Sequence, residues 1–237
     1  YSRAKAAGDD ALRVVNRALA ARGVKSPGKA GEQELARAAR QIPGAAEVYV
    51  WDAVNWGEWA LAYGKIAAAR QGAADRIRRH AGIAHAIDPA LEGGTPSRVL
   101  GRLHDQTPRI PFITGWTSQK EAVRYLTESQ KVDPSNKITI VFLAEALVSD
   151  DAGAKERAVK MLRAAIARHG LAADEAMRIA RALKRADLAA DVAVVSAYIE
   201  TLREDPVPGR GDDPLSEAAG LFAAIEAAAA GERGAAE

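Results

Sequence analysis

The stretch EAVRYLTESQKVDP, residues 121 to 134, decides how the chain is read. Ala122, Leu126, Ser129 and Pro134 stand four, three and five positions apart. On a helix the first two spacings put Ala122, Leu126 and Ser129 on one face. Two of those three side chains are small enough to let a second helix lie close. Proline then stops the helix, because it pushes the residue before it towards extended backbone. The pattern recurs: Ile77, Ala81, Ala84 and Pro89 hold the same spacings 45 residues earlier. Ala158, Leu162, Ala165 and Gly170 hold them 36 residues later, with glycine in place of proline.

A small-faced helix recurring at about 34 residues is the signature of a tetratricopeptide-type array, whose units bury their apolar faces only by stacking. The longer first interval leaves room for an insertion around HDQTPRIPFITGW, residues 104 to 116. Elsewhere alanine is abundant, β-branched runs are scarce, and apolar residues recur at three and four spacing, which reads as helix throughout. Breaks are expected at Pro27 with Gly28, Pro43 with Gly44, Asp88 with Pro89, Gly93 to Pro96, Pro108 with Pro111, Asp133 with Pro134 and Pro206 to Pro214. Start signals agree with them: Thr95 before Pro96 caps one helix, and Ser118 with Glu121 forms a capping box.

Helices are therefore predicted over 3–22, 30–41, 46–70, 73–87, 96–105, 118–131, 136–149, 154–169, 173–184, 187–203 and 214–230. The expected fold class is all-α, a tetratricopeptide-like helical repeat array or helical bundle. Residues 1–45 would be N-terminal helices packing on the array, 46–205 its core, and 206–237 a linker, a capping helix and a frayed tail.

Composition narrows the function. Basic residues exceed acidic ones by only two, and the signs are interleaved, so no footprint for nucleic acid is visible. No uninterrupted apolar run is long enough for a transmembrane segment, and no secretory leader is seen. Beginning at Tyr1 rather than Met, the sequence reads as a processed or trimmed chain. With no cysteine, disulfides, thiolate catalysis and thiolate metal sites are excluded together.

The aromatic residues are concentrated. VYVWDAVNWGEWALAYGK, residues 48 to 65, holds three of four tryptophans and two of five tyrosines. At about 100° per residue, Tyr49, Trp56, Trp59 and Tyr63 fall within about 80° of arc, with Asp52 inside that arc and Asn55 and Trp51 beside it. Four such rings cover roughly 600 to 1,000 Å², more than a monomer usually leaves open. Three readings stay open. The stripe is core, with Asp52 satisfied by an indole N–H or an arginine such as Arg98. It is instead a cavity wall for an apolar ligand, with Asp52 or Asn55 as the polar handle. Or it is a subunit interface.

The loop PRIPFITGW adds Phe112 and Trp116, as a stapled connection or as the rim of a cavity, and Arg98 and Arg102 share one helical face. His80, His85 and His104 lack metal-ligand spacing, and no catalytic or phosphate-binding motif is present. No enzyme, cofactor or metal is expected.

WDAVNWGEWALAYGK, IAHAIDP, GGTPSRVLGRLHDQTPRIPF and EAVRYLTESQKVDPSNKITIVFLAEAL together resemble the T-component family of TRAP transporter systems, over roughly residues 45 to 200. The resemblance implies a periplasmic, tetratricopeptide-like protein, whose helices surround a pore or cleft for hydrophobic ligands and which docks a substrate-binding protein. It marks Asn55, Trp56 and Trp59 on the aromatic helix and Gly94, Arg98 and Gly101 on the glycine segment. Family members commonly carry an N-terminal acylated cysteine, and this chain has none. The expected location is therefore the periplasm, soluble or anchored through a residue not present in this chain. A related helical protein of bacterial sterol-transport systems is also similar.

The expected function is binding of a lipid or sterol against Tyr49, Asp52, Asn55, Trp56, Trp59, Tyr63, Arg98, Phe112 and Trp116, for transport with a periplasmic substrate-binding protein. The alternative is a T-component scaffold that docks that protein by protein contacts alone.

Overall fold

A computed structural model describes residues 2–110 and 114–150, with residues 154, 157, 158, 160 and 161. Eight helices follow one another, and no strand occurs among the described residues: α1 (Ser2–Ala21), α2 (Glu32–Ala39), α3 (Ala45–Tyr63), α4 (Lys65–Arg70), α5 (Ala73–Ile87), α6 (Leu91–Gln106), α7 (Gln119–Val132) and α8 (Lys137–Asp150). The chain is all-α, as expected. It divides into two compact units, Tyr1–Pro134 and Ser135–Glu237.

In the first unit α3 pairs with α5 and α6 with α7, while α5 also packs on α6. The recurring residues lie at the centre of this packing. Ile77, Ala81 and Ala84 on α5 are buried, and so are Ala122, Leu126 and Ser129 on α7. Both helices stop in the same way. Asp88 and Asp133, each before proline, turn to extended backbone while their N–H groups still bond Ala84 O and Ser129 O. α1 and α2 belong to the same unit, α1 lying on α3 and α2 on α5.

The glycine segment explains the α6–α7 contact. A Cβ on Gly94 would lie 3.0 Å from Ser129 Cα, and one on Gly101 would lie 2.5 Å from Leu126 Cγ and 3.1 Å from the Ala122 carbonyl oxygen. Gly94 faces Ser129 and Gly101 faces Ala122, so the two helices run antiparallel, with seven-residue steps matched on each. Gly101→Ala is expected to cost about 1 to 3 kcal/mol through overpacking. Chemical denaturation of the full chain measures it, and an unchanged midpoint would contradict the contact.

The helix boundaries differ from the sequence reading at one place. The helix expected over 46–70 is broken at Gly64, whose φ of 88° is left-handed and suits glycine. Within α6, Glu92, Gly93 and Gly94 also have positive φ, so the regular helix begins at Thr95 and Pro96, where the cap was expected. Ser118 does cap α7, its Oγ accepting from Glu121 N.

In the second unit, Asn136 Oδ1 accepts from Thr139 N at the start of α8, and eight of that helix's residues are buried. Of the third recurring set only Ala158 is described, and it is buried. Leu162, Ala165 and Gly170, the helices expected over 173–184, 187–203 and 214–230, most of that over 154–169, and the boundary at 206 lie outside the described residues.

His104, on α6, gives the first unit a pH dependence of definite sign. Its Nδ1 accepts from Ser118 N at 3.2 Å, which requires the neutral ring. Its ring stacks on Tyr125 and meets Trp116 edge-on. Burial pushes its pKa down, opposed by the Glu121 charge and aided by those of Arg124 and Arg78. A depressed base is protonated more readily unfolded than folded, so its contribution is complete above about pH 6.5 and is lost as pH falls below that. Thermal unfolding followed by tryptophan fluorescence is expected to show a falling midpoint from pH 7 to lower values, with a shallower fall in His104→Gln.

Candidate functional site

The aromatic helix α3 lies against α1 on one side and α5 on the other, with α6 also in contact. Consequently Tyr49, Trp56 and Trp59 are 2%, 5% and 6% exposed, and only Tyr63, at the end of the helix, reaches 55%. Trp56 meets Trp59 edge-on at 5.8 Å, and Trp59 stacks on Tyr63 at 5.1 Å. Ala53, Ala73, Ile77, Ala81, Leu100 and Leu103 complete this cluster, and Trp116 packs against it. Lys5 of α1 sets its ammonium 4.1 Å from the Trp56 ring centroid and 4.5 Å from that of Trp59, and Arg76 lies 4.6 Å from Trp56. Cations over ring faces are favourable at such distances. Helices of the same chain therefore cover most of the stripe.

Asp52 is the polar centre of α3. It is 1% exposed, and α1 closes over it so tightly that a Cβ on Gly8 would lie 2.8 Å from its Oδ1. Arg76 donates from Nε to Oδ2 at 3.0 Å and from Nη2 to Oδ1 at 2.8 Å. His80 Nδ1 donates to Oδ2 at 2.6 Å. Arg76 Nη2 also reaches Asp9 at 2.5 Å. Burial pushes the Asp52 carboxyl up, but hydrogen bonds from His80 and Arg76, and their charges, outweigh it and hold it below the ordinary carboxylate range. The partners expected from sequence, an indole N–H or Arg98, are not the ones found. Arg76 and His80 stand four apart on α5, so one helical face brings both to Asp52.

The other candidates are scattered. Asn55 Nδ2 donates to the Ala4 carbonyl at 3.3 Å. Arg98 is half-buried on α6 and donates to Thr95 Oγ1, with Asp133 and Glu92 as the charges acting on it. Arg102 pairs with Asp105. Trp116 Nε1 donates to Asp75 Oδ1 at 3.1 Å, which ties the loop to α5. Phe112 lies outside the described residues.

A cleft of about 500 Å³ opens instead between α1, the loop after it, α2, α3 and α5. Asp9, Leu12, Arg13 and Asn16 of α1, Pro27 and Gly28 of the following loop, and Leu35 of α2 form one wall. Tyr49 of α3 and Asp75, Arg76, Arg79, His80 and Ile83 of α5 form the other. Of the residues expected to line a cavity, Tyr49 alone does so here. Sequence reasoning missed Arg79, whose place beside Tyr49 depends on which helix packs on α3. Among the described residues no His, Asp or Glu cluster is arranged to hold a metal, and no helix is long and apolar enough to cross a membrane.

Compared with protein-family models, with curated proteins and with solved structures, the chain gives no match.

Proposed function

We propose that this chain is a helical-repeat scaffold of a TRAP-type transport system, acting in the periplasm by docking a substrate-binding protein through its surface. One observation carries the reading: four of the six residues marked by the T-component resemblance pack the helices together. Trp56 and Trp59 lie inside the first unit, and Gly94 and Gly101 admit α7 against α6. With those four accounted for by packing, the scaffold reading asks no ligand or catalytic step of them.

The test is co-purification of the full chain with a tagged substrate-binding protein of a TRAP-type system, before and after delipidation. A complex that survives delipidation is expected. No complex in either condition would overturn the docking role.

A hydrophobic ligand such as a lipid or sterol is the second reading, favoured by the exposed end of α3. There Leu61 is 75% exposed and Tyr63 presents the outer face of its stack on Trp59. Such a ligand would lie on that end of the helix, with Trp59 behind it. A lipid adduct abolished by Tyr63→Ala would support this reading over the first.

A further inference from the structure

The cleft between α1, the loop after it, α2, α3 and α5 has no part in the repeat packing or in the docking reading. Its charges are unequally matched. Asp9 and Asp52 share Arg76. Asp75 accepts from the Trp116 indole, with Arg78 at 3.7 Å, and Arg13 pairs with Asp10. Arg79 differs from these: its Nη2 donates to the Ala30 carbonyl at 2.6 Å, and no carboxylate among the described residues pairs with it. A guanidinium has five N–H donors, so most of its capacity is left for the cleft.

Tyr49 supplies an independent observation. It is almost fully buried and lines the same cleft, yet no hydrogen bond to its hydroxyl occurs among the described residues. The hydroxyl is not sealed from the cleft, so a bound group can reach it. Burial pushes this phenol's pKa up and the Arg79 charge opposes the shift, so the two groups lie within electrostatic reach of each other. The His80 ring, also in the cleft wall, meets Tyr49 edge-on at 5.4 Å.

We propose that the cleft binds a small monocarboxylate with an apolar body, its carboxylate held by the Arg79 guanidinium and the Tyr49 hydroxyl. The guanidinium fork matches the two oxygens of a carboxylate. A single unmatched cation suits a single negative charge, and Asp9 and Asp75 in the same walls disfavour a doubly charged phosphate. Leu12, Leu35 and Ile83 stand in the cleft walls as the edge of the core, and about 500 Å³ is within the range of small-molecule sites. This site stands independently of the docking reading, so either can fail without the other.

The test is isothermal titration of the full chain with 3-phenylpropionate and with octanoate, using 3-phenylpropanol as the uncharged counterpart. Saturable binding of at least one acid, and none of the alcohol, is expected. Arg79→Gln is expected to weaken binding by about 10- to 100-fold. Tyr49→Phe should weaken it by about 3- to 10-fold while leaving the unfolding temperature unchanged, because the hydroxyl has no partner in the free protein. That variant separates a lost ligand contact from a lost fold. The proposal is overturned if neither acid saturates, if the alcohol binds as tightly, or if Tyr49→Phe binds as the parent chain does.

Discussion

Asp52→Ala is expected to lower the stability of the chain by about 3 kcal/mol, the lower end of the range for breaking a buried ion pair. The lower end applies because Arg76 keeps Asp9 as a partner and is itself partly exposed. For a unit of this size the loss corresponds to roughly 10 °C in unfolding temperature. Removing Arg76 as well should cost less than the sum of the two single changes, since both act in one network. The pH dependence has a definite sign. Asp52 has a depressed pKa when folded, so its contribution is complete above the unfolded value of about 3.9 and is lost as pH falls through the lower folded value. Acid unfolding of the parent chain should therefore be steeper than that of Asp52→Ala. Equal slopes would mean that the Arg76 and His80 contacts do not form in solution.

Trp56→Ala should be as damaging, at about 3 to 5 kcal/mol, because the side chain is buried between α1, α5 and α6 and its removal leaves a void. Trp56→Phe is expected to cost much less. The indole Nε1 is buried without a partner, so phenylalanine removes an unsatisfied donor together with the lost area. Denaturant titration of both variants checks this. A tryptophan lining an open ligand cavity would give a small loss of stability for alanine, and that outcome would reverse the assignment of the stripe to the core.

The legible part of the fold was the part governed by local spacing. Ala122, Leu126 and Ser129, and their counterparts Ile77, Ala81 and Ala84, are small or aliphatic residues at three and four spacing, and close helix packing requires that pattern. Proline after Asp88 and Asp133, and the Ser118 cap, act within a few residues and so could be read directly. The break at Gly64 could not, because one glycine is compatible with a helix interior and only its backbone angle separates the two cases.

For the site, sequence showed that a carboxylate sits within an aromatic stripe. It could not show that Arg76 and His80, 24 and 28 positions further on, would meet it. Arg98 was an equally reasonable partner until α5, rather than α6, was seen to present its cations to Asp52. The cleft was less legible still, since its walls come from α1, a loop, α2, α3 and α5.

The central claim is that the aromatic stripe is mostly the interior of a scaffold. Native mass spectrometry of the full chain after incubation with phospholipids and sterols tests it most directly. The account predicts a folded chain at its own mass, without adduct. A discrete sterol or phospholipid adduct that disappears in Trp59→Phe, with the fold intact, would contradict it and make the stripe a ligand wall.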